Sequence, residues 1–220
     1  MAYPPKPHVE HDWGCITRLV ADAPFAHIFS GAAGSQRVTR LPFVFDDHGD
    51  GTGTLRAHMD ANNPQCAQLD GGDMLVAFSG PHAYVSPNWR GDRARGATWD
   101  YTAVHMWGRA CIRQERAFFA SLIRDLAAPP EHRYQALSEH PQWTLEDAPE
   151  AYVDRLFPHL TGFEIKVTRV EAISKVHQDF PPKDALLVAD HLAQSQDEGG
   201  RLIAEVIREK TGVRGTRRSA

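Results

Sequence analysis

Three scarcities narrow what this chain of 220 residues can be: cysteine, positive charge and long apolar runs. The three cysteines, Cys15, Cys66 and Cys111, are odd in number and far apart, with no Cys-x-x-Cys pair. That excludes a disulfide framework and the usual thiolate zinc site, and suits a reducing compartment. A formal net charge of −4 and a pI near 6.3 leave no broad basic surface for neutralising phosphates, which counts against autonomous nucleic-acid binding. The one basic cluster, Lys210, Arg214, Arg217 and Arg218, is terminal, where a solvated end is the plain reading. No apolar run approaches the roughly 20 residues of a membrane helix, and the opening Met1-Ala2-Tyr3-Pro4-Pro5-Lys6-Pro7 has no apolar signal core, so the expected location is cytoplasmic. Also missing are Gly-x-Gly-x-x-Gly, a Walker lysine loop, His-Glu-x-x-His, Gly-x-Ser-x-Gly and any legible helix-turn-helix. Dinucleotide binding on a Rossmann fold, nucleotide hydrolysis, zincin proteolysis and elbow hydrolysis lack their usual signals.

What is present, 42% hydrophobic and 24% charged residues, is enough for one good core, and a single domain over 1–220 is expected. Asp12 can cap a helix carrying Ile16, Leu19 and Val20, which Pro24 stops. Short runs follow, at Phe25 to Phe29, Val38 to Phe45, Thr54 to Met59, Met74 to Phe78 and Ala83 to Ser86, parted by glycine, proline and asparagine; they predict successive strands. The stretch from Asp46 to Gly53 predicts a hairpin turn, and Pro64 to Leu69 a short helix capped by Asn62 or Asn63. Thr98 to Ile112 predicts a long strand with Trp99, Tyr101, Ala103, His105 and Trp107 on one row and Asp100, Thr102, Val104 and Met106 on the other. Helical spacing from Gln114 to Leu126 ends at Pro129-Pro130, and a second helix follows a capping-box-like Asp147 and Glu150. Phe163 to Thr168 alternates as a strand with one wet face, and about 182–212 is a helical segment broken at Gly199-Gly200. Strands in the middle, two late helices, a further strand and a terminal helical segment indicate an α+β fold with a closed sheet.

Candidate chemistry centres on three places. His58, near the end of a predicted strand, reads either as an axial ligand for haem iron or as a half-buried imidazole satisfied by a carbonyl. Trp99, Tyr101, His105 and Trp107 form either a flat face for an isoalloxazine or porphyrin, or ordinary barrel filling; Asp100, on the opposite row, reads as a solvated or interface carboxylate. Ser174-Lys175-Val176-His177-Gln178-Asp179 can bind an anion or handle protons, or is simply a charged turn.

Three elements carry a family resemblance: Ala57-His58 with Asn63-Pro64; Gly80-Pro81-His82-Ala83-Tyr84-Val85-Ser86-Pro87 followed by Trp89; and Thr98-Trp99-Asp100-Tyr101 followed by Val104-His105 and Gly108. From about Phe25 to Leu192 the chain resembles the PaiB-like proteins, often described as FMN-binding negative transcriptional regulators. The resemblance implies a split β-barrel with peripheral helices, a homodimer and a cofactor at the subunit interface. The residues it marks for the cofactor are His58, Asn63, Tyr84, Ser86, Trp89, Thr98, Trp99, Tyr101, His105 and Gln178. Haem-dependent piperazate synthases share these blocks, and His58 matches their haem-binding histidine. On that resemblance the expectation is a haem b-dependent enzyme with His58 on the iron, joining two nitrogens by cyclising an N-hydroxylated diamino acid, with Lys175 and His177 as candidate proton acceptors. The alternatives are an FMN-binding regulator, for which DNA would be the partner, and a flavin-dependent oxidoreductase. Where the family commonly has Lys-Leu-Ser-Gln-Asn, this chain reads Lys175-Val176-His177-Gln178-Asp179, exchanging a hydroxyl for an imidazole and an amide for a carboxylate. Ala97 also replaces a common proline. Both changes point away from an unaltered FMN phosphate site.

Overall fold

Alternating apolar and polar side chains through the middle of the chain become a seven-stranded sheet in the structure, a computed structural model describing residues 4–212. The elements run α1 (Trp13–Asp22), β1 (Phe25–Ser30), β2 (Arg37–Pro42), β3 (Val44–Asp47), β4 (Gly53–Asp60), β5 (Asp73–Val85), β6 (Thr98–Arg113), α2 (Arg116–Tyr134), α3 (Glu150–Leu156), β7 (Leu160–Lys175), α4 (Pro182–Leu192) and α5 (Glu198–Lys210), with short 3-10 turns between. Strand order is β2-β1-β5-β6-β7-β4-β3, and β1 with β2, β1 with β5, β3 with β4 and β4 with β7 pair antiparallel. The fold is α+β. Arg214, Arg217 and Arg218 of the basic cluster lie outside the described residues.

The chain forms two compact units. One comprises residues 20–78 and 105–170, the other residues 1–19, 79–104 and 171–220, so β5, β6 and β7 each contribute to both. In the first unit the two edge strands of the sheet, β2 and β3, are neighbours in sequence, separated by Phe43 alone. Phe43 is 3% exposed and meets Phe78 and Phe163 edge-on at centroid distances of 6.0 and 6.3 Å. Leu55, Ala57 and Met59 of β4 and Phe163 and Ile165 of β7 are likewise buried, the inward row that strict alternation demands. In the second unit α4 and α5 supply Val188, Ala189, Leu192, Ile203, Ala204 and Ile207 to a core shared with Ala83, Val85 and Val176.

Several boundaries differ from the sequence reading. The run from Val38 to Phe45 is two strands, because Phe43 turns inward between them. The two runs at Met74 and Ala83 are one strand: β1 pairs with β5 only over Leu75–Ala77, so Pro81 lies past that partner and its missing N–H breaks no bond to β1. Gly80 serves close packing there, since a Cβ would come within 2.2 Å of Thr102 Oγ1. Helix α2 continues through Pro129 and Pro130, both exposed near its C-terminal end, where freed carbonyls meet water. The capping box forms one turn earlier than read, between Thr144 and Asp147, and Pro149 precedes α3. The terminal helices part at residues 193–197, and Gly199 and Gly200 sit inside the first turn of α5, where Asp197 accepts from Gly200 N at 3.0 Å.

Candidate functional site

In β4, Leu55, Ala57 and Met59 face the core, which turns Arg56 and His58 to the other side, beneath α2. Arg56 is tied there, donating to Asp46 at 2.5 and 2.8 Å and to Asp125 at 2.7 Å. His58 is tied to nothing. Its ring makes no hydrogen bond, its Nδ1 is sealed from solvent, and Nε2 is the nitrogen left at the surface. The imidazole rests against Phe119 of α2, centroids 6.4 Å apart, and stands opposite Gly162 of β7. A side chain at Gly162 would collide with Arg113 O and the rings of Phe118 and Phe119, so the glycine makes room for the aromatic pair beside His58. Burial pushes the His58 pKa below its ordinary 6.5, leaving a neutral ring with a free lone pair at pH 7. Phe119 also forms a wall of a cavity of about 470 Å³, lined mainly by apolar side chains of α2, α3 and the turns between and after them, including Ile123, Trp143, Leu145 and Phe157. His58 is not among the lining residues.

The other unit holds a second histidine in the opposite condition. His177 is 1% exposed, its Nδ1–H donates to Asp100 Oδ2 at 2.5 Å, and its ring stacks on Phe180 at 4.5 Å. Asp100 is fully buried, which corrects the reading of a solvated carboxylate: on β6 the inward row is Asp100, Thr102, Val104 and Met106, and the aromatic row is the half-exposed one. His177 adopts φ 62°, the left-handed region, where a side chain of this size persists only when its surroundings hold it. Its Nε2 is buried without a partner, the arrangement of a carboxylate-oriented imidazole with a nitrogen to accept a proton. Lys175 donates to Thr98 Oγ1 and to the Trp99 carbonyl at 2.8 Å, and Gln178 donates to the carbonyls of Pro7 and Ser174. Asp179 pairs with Arg95 at 2.5 Å; burial alone would raise its pKa, but Arg95 outweighs that and holds the carboxyl below its usual range.

The sequence-marked residues therefore divide. His58, Asn63 and His105 belong to one unit, and Tyr84, Ser86, Trp89, Thr98, Trp99, Tyr101, Lys175, His177 and Gln178 to the other. Asn63 caps the 3-10 turn at Pro64, accepting from Gln65 N and donating to Thr39 Oγ1, both at 2.9 Å. His105 meets Trp107 edge-on at 6.0 Å, with Arg169 3.7 Å above the indole. Tyr84 and Trp99 are about half exposed and pack edge to face at 6.0 Å, with His82 5.9 Å from the same indole, forming an open aromatic corner. Ser86 caps the turn that carries Trp89, whose ring lies flat on His191. Tyr101 is half-buried on the outward row. Sequence reasoning missed Asp100, Phe119, Gly162, Arg90 and Phe180. The run Arg90-Gly91-Asp92-Arg93-Ala94-Arg95-Gly96 was the visible signal for the arginine. Among the described residues no helix is long and apolar enough to cross a membrane, and no cluster of three metal-binding side chains occurs.

Comparison with known proteins gives these geometries a context. A family model described as "Putative FMN-binding domain" matches residues 2–169. The chain is 30% identical to Protease synthase and sporulation protein PAI 2 of Bacillus subtilis, over 89% of this chain and 91% of that protein. Among solved structures it is similar to the FAD and heme binding protein from Mycobacterium smegmatis, with a TM-score of 0.51 and 12% identity over 76% of this chain and 73% of that one. It is similar as well to the flavocytochrome Anf3 from Azotobacter vinelandii, with a TM-score of 0.51 and 14% identity over 76% and 68%. At such identities the two structures speak for the fold.

Proposed function

Because the chain belongs to the "Putative FMN-binding domain" family, the PaiB-like proteins, we propose that it holds a planar cofactor, haem b, with His58 as the iron ligand. The observation that carries this is the His58 ring itself: neutral through burial, free of any hydrogen bond, with Nε2 at the surface. A histidine with a structural task would use its nitrogens, as buried polar groups generally do. The residues present fit an iron ligand, and Phe119 and Gly162 fix the ring's surroundings from α2 and β7. That a structurally similar protein is described as binding both FAD and heme supports haem as a tenant of this fold.

The chemistry haem would supply is polarisation of an N–O bond, so that the second amine of an N-hydroxylated diamino acid closes a ring by an N–N bond with loss of water. The proton leaving that amine needs an acceptor; within its own unit His177 Nε2, oriented through Nδ1 by Asp100, has the form of one. Lys175 is the weaker candidate, since its ammonium already holds Thr98 and the Trp99 carbonyl.

A second reading, FMN in place of haem, is favoured by one specific feature, the open corner of His82, Tyr84 and Trp99, on which an isoalloxazine can stack. Purification from cells supplied with iron and a haem precursor, followed by an absorption spectrum and extraction of the chromophore, separates the two. A Soret band that disappears in His58→Ala while the fold persists supports haem ligation. A flavin extract without haem, or a Soret band unchanged in His58→Ala, overturns it in favour of FMN or another ligand.

A further inference from the structure

The unit built from residues 1–19, 79–104 and 171–220 contains a buried cation with no carboxylate in direct contact. Arg90 follows the 3-10 turn Pro87–Trp89 and is 4% exposed. Its Nη2 donates to the carbonyls of Arg95 and Gly96 at 2.6 and 2.8 Å. Nε and Nη1 are sealed from solvent and have no acceptor, so three of the five N–H bonds of the guanidinium are unsatisfied. None of the nearby acidic groups pairs with it: Asp100 Oδ2 holds His177 while Oδ1 is sealed without a partner, Asp179 pairs with Arg95, and Asp184, itself 7% exposed, accepts from the Gly91 N–H at 3.1 Å. A guanidinium removed from water without a carboxylate is costly, and proteins ordinarily supply such a group with an anion.

The surroundings gather cationic and unpartnered polar groups on one ring. Arg90, Arg95 and His177 all pack on the Phe180 ring, at 4.6, 3.8 and 4.5 Å. His177 Nε2 is a further buried nitrogen without a partner. Residues 91–97 are exposed throughout, carry Arg93 and Arg95, and begin with a glycine, with a second at Gly96. The loop is tied by Asp184 on Gly91 N, Asp92 on Ala94 N, Arg90 on the Arg95 and Gly96 carbonyls and Arg95 on Asp179, all contacts that a bound anion on Arg90 and Arg95 would compete with.

We propose that Arg90 anchors a binding site for a phosphate-class anion, closed by the loop 91–97. A tetrahedral dianion suits it better than a carboxylate, because three free N–H bonds on one side chain, with Arg95 on the same Phe180 ring, match an acceptor with three or four oxygens and two charges. In its absence the Arg95 and Gly96 carbonyls and the Phe180 face hold the guanidinium in place. The site is independent of His58 and stands whichever planar cofactor the protein binds. The phosphate comes either from a free phosphate compound or from the tail of a flavin mononucleotide.

The test compares inorganic phosphate with chloride at matched ionic strength on the full-length protein, by thermal unfolding and by hydrogen exchange of the 91–97 amides. Phosphate at about a hundredfold its dissociation constant raises the midpoint by roughly 5–10 °C and slows exchange in the loop; Arg90→Met abolishes both responses, and Arg93→Gln keeps the thermal one. Wild-type binding of FMN tenfold or more tighter than riboflavin, lost in Arg90→Met, assigns the phosphate to the flavin tail; equal binding of the two beside a phosphate response assigns it to a free compound. Identical midpoints and exchange in phosphate and chloride overturn the proposal, as does an Arg90→Met protein that responds like wild type. Should Arg90→Met fail to fold, the exchange measurement on wild type decides alone.

Discussion

His58 and His177 are both candidates by type and position in the sequence, and the structure treats them in opposite ways. His58 sits in a strand, in ordinary extended backbone, with an idle ring and one nitrogen at the surface. His177 follows the end of a strand in left-handed backbone, sealed, with a carboxylate on one nitrogen and a phenyl ring on its face. The difference teaches that accessibility and commitment are separate properties. The accessible imidazole is suited to holding a ligand; the committed one is suited to moving a proton, and only after something around it yields.

The harshest way to break the contrast is to remove the committed histidine. His177→Ala leaves the Asp100 carboxyl buried without its partner and a cavity beside Phe180, and stability should fall by about 3 kcal/mol or more, read as a lower midpoint in urea unfolding. His58→Ala should cost under about 1 kcal/mol, because no hydrogen bond is lost; equal losses in the two variants would erase the distinction. An effect between those two is expected from Gly162→Ala. Its Cβ would lie 2.6 Å from Arg113 O and 2.9 Å from the rings of Phe118 and Phe119, so the aromatic pair must shift. The loss should be roughly 1–3 kcal/mol, accompanied by a changed chemical environment of the His58 ring in its NMR signals. Unmoved His58 signals would show that the glycine does not set the histidine's surroundings.

The smallest effect is in pH dependence. Burial lowers the folded-state pKa of His58 below 6.5, so the unfolded chain binds its proton first on acidification. The stability tied to the neutral ring is therefore fully present above pH 6.5 and is lost as pH falls through the folded value. Subtracting unfolding curves of His58→Gln from wild type between pH 7 and pH 5 should show that slope, and a flat difference would contradict it.

Much of the architecture was legible because it rests on local pattern. The alternation in Phe163 to Thr168, the Asp12 cap, with Oδ1 accepting from Cys15 N at 3.0 Å, and the Asn63 cap all follow from short-range rules. Prolines misled twice, ending neither β5 nor α2, because a stretch past the end of one partner strand and an exposed stretch near a helix end both tolerate a missing N–H. The two rows of β6 were also legible, yet not which of them faces inward. Aromatics looked like core and an aspartate like surface, and the fold chose the reverse because His177, 77 residues on, meets Asp100 inside.

By itself, then, the sequence determined the strands and helices, the family, and which residue types stand at His58, Arg90, Asp100 and His177, since these depend on periodicity and on neighbours a few positions away. The tertiary structure alone decided which histidine stays idle, which carboxylate is buried and which guanidinium lacks a partner. Those properties belong to pairs of groups brought together from distant segments, and desolvation acts on them only once the chain has closed around them.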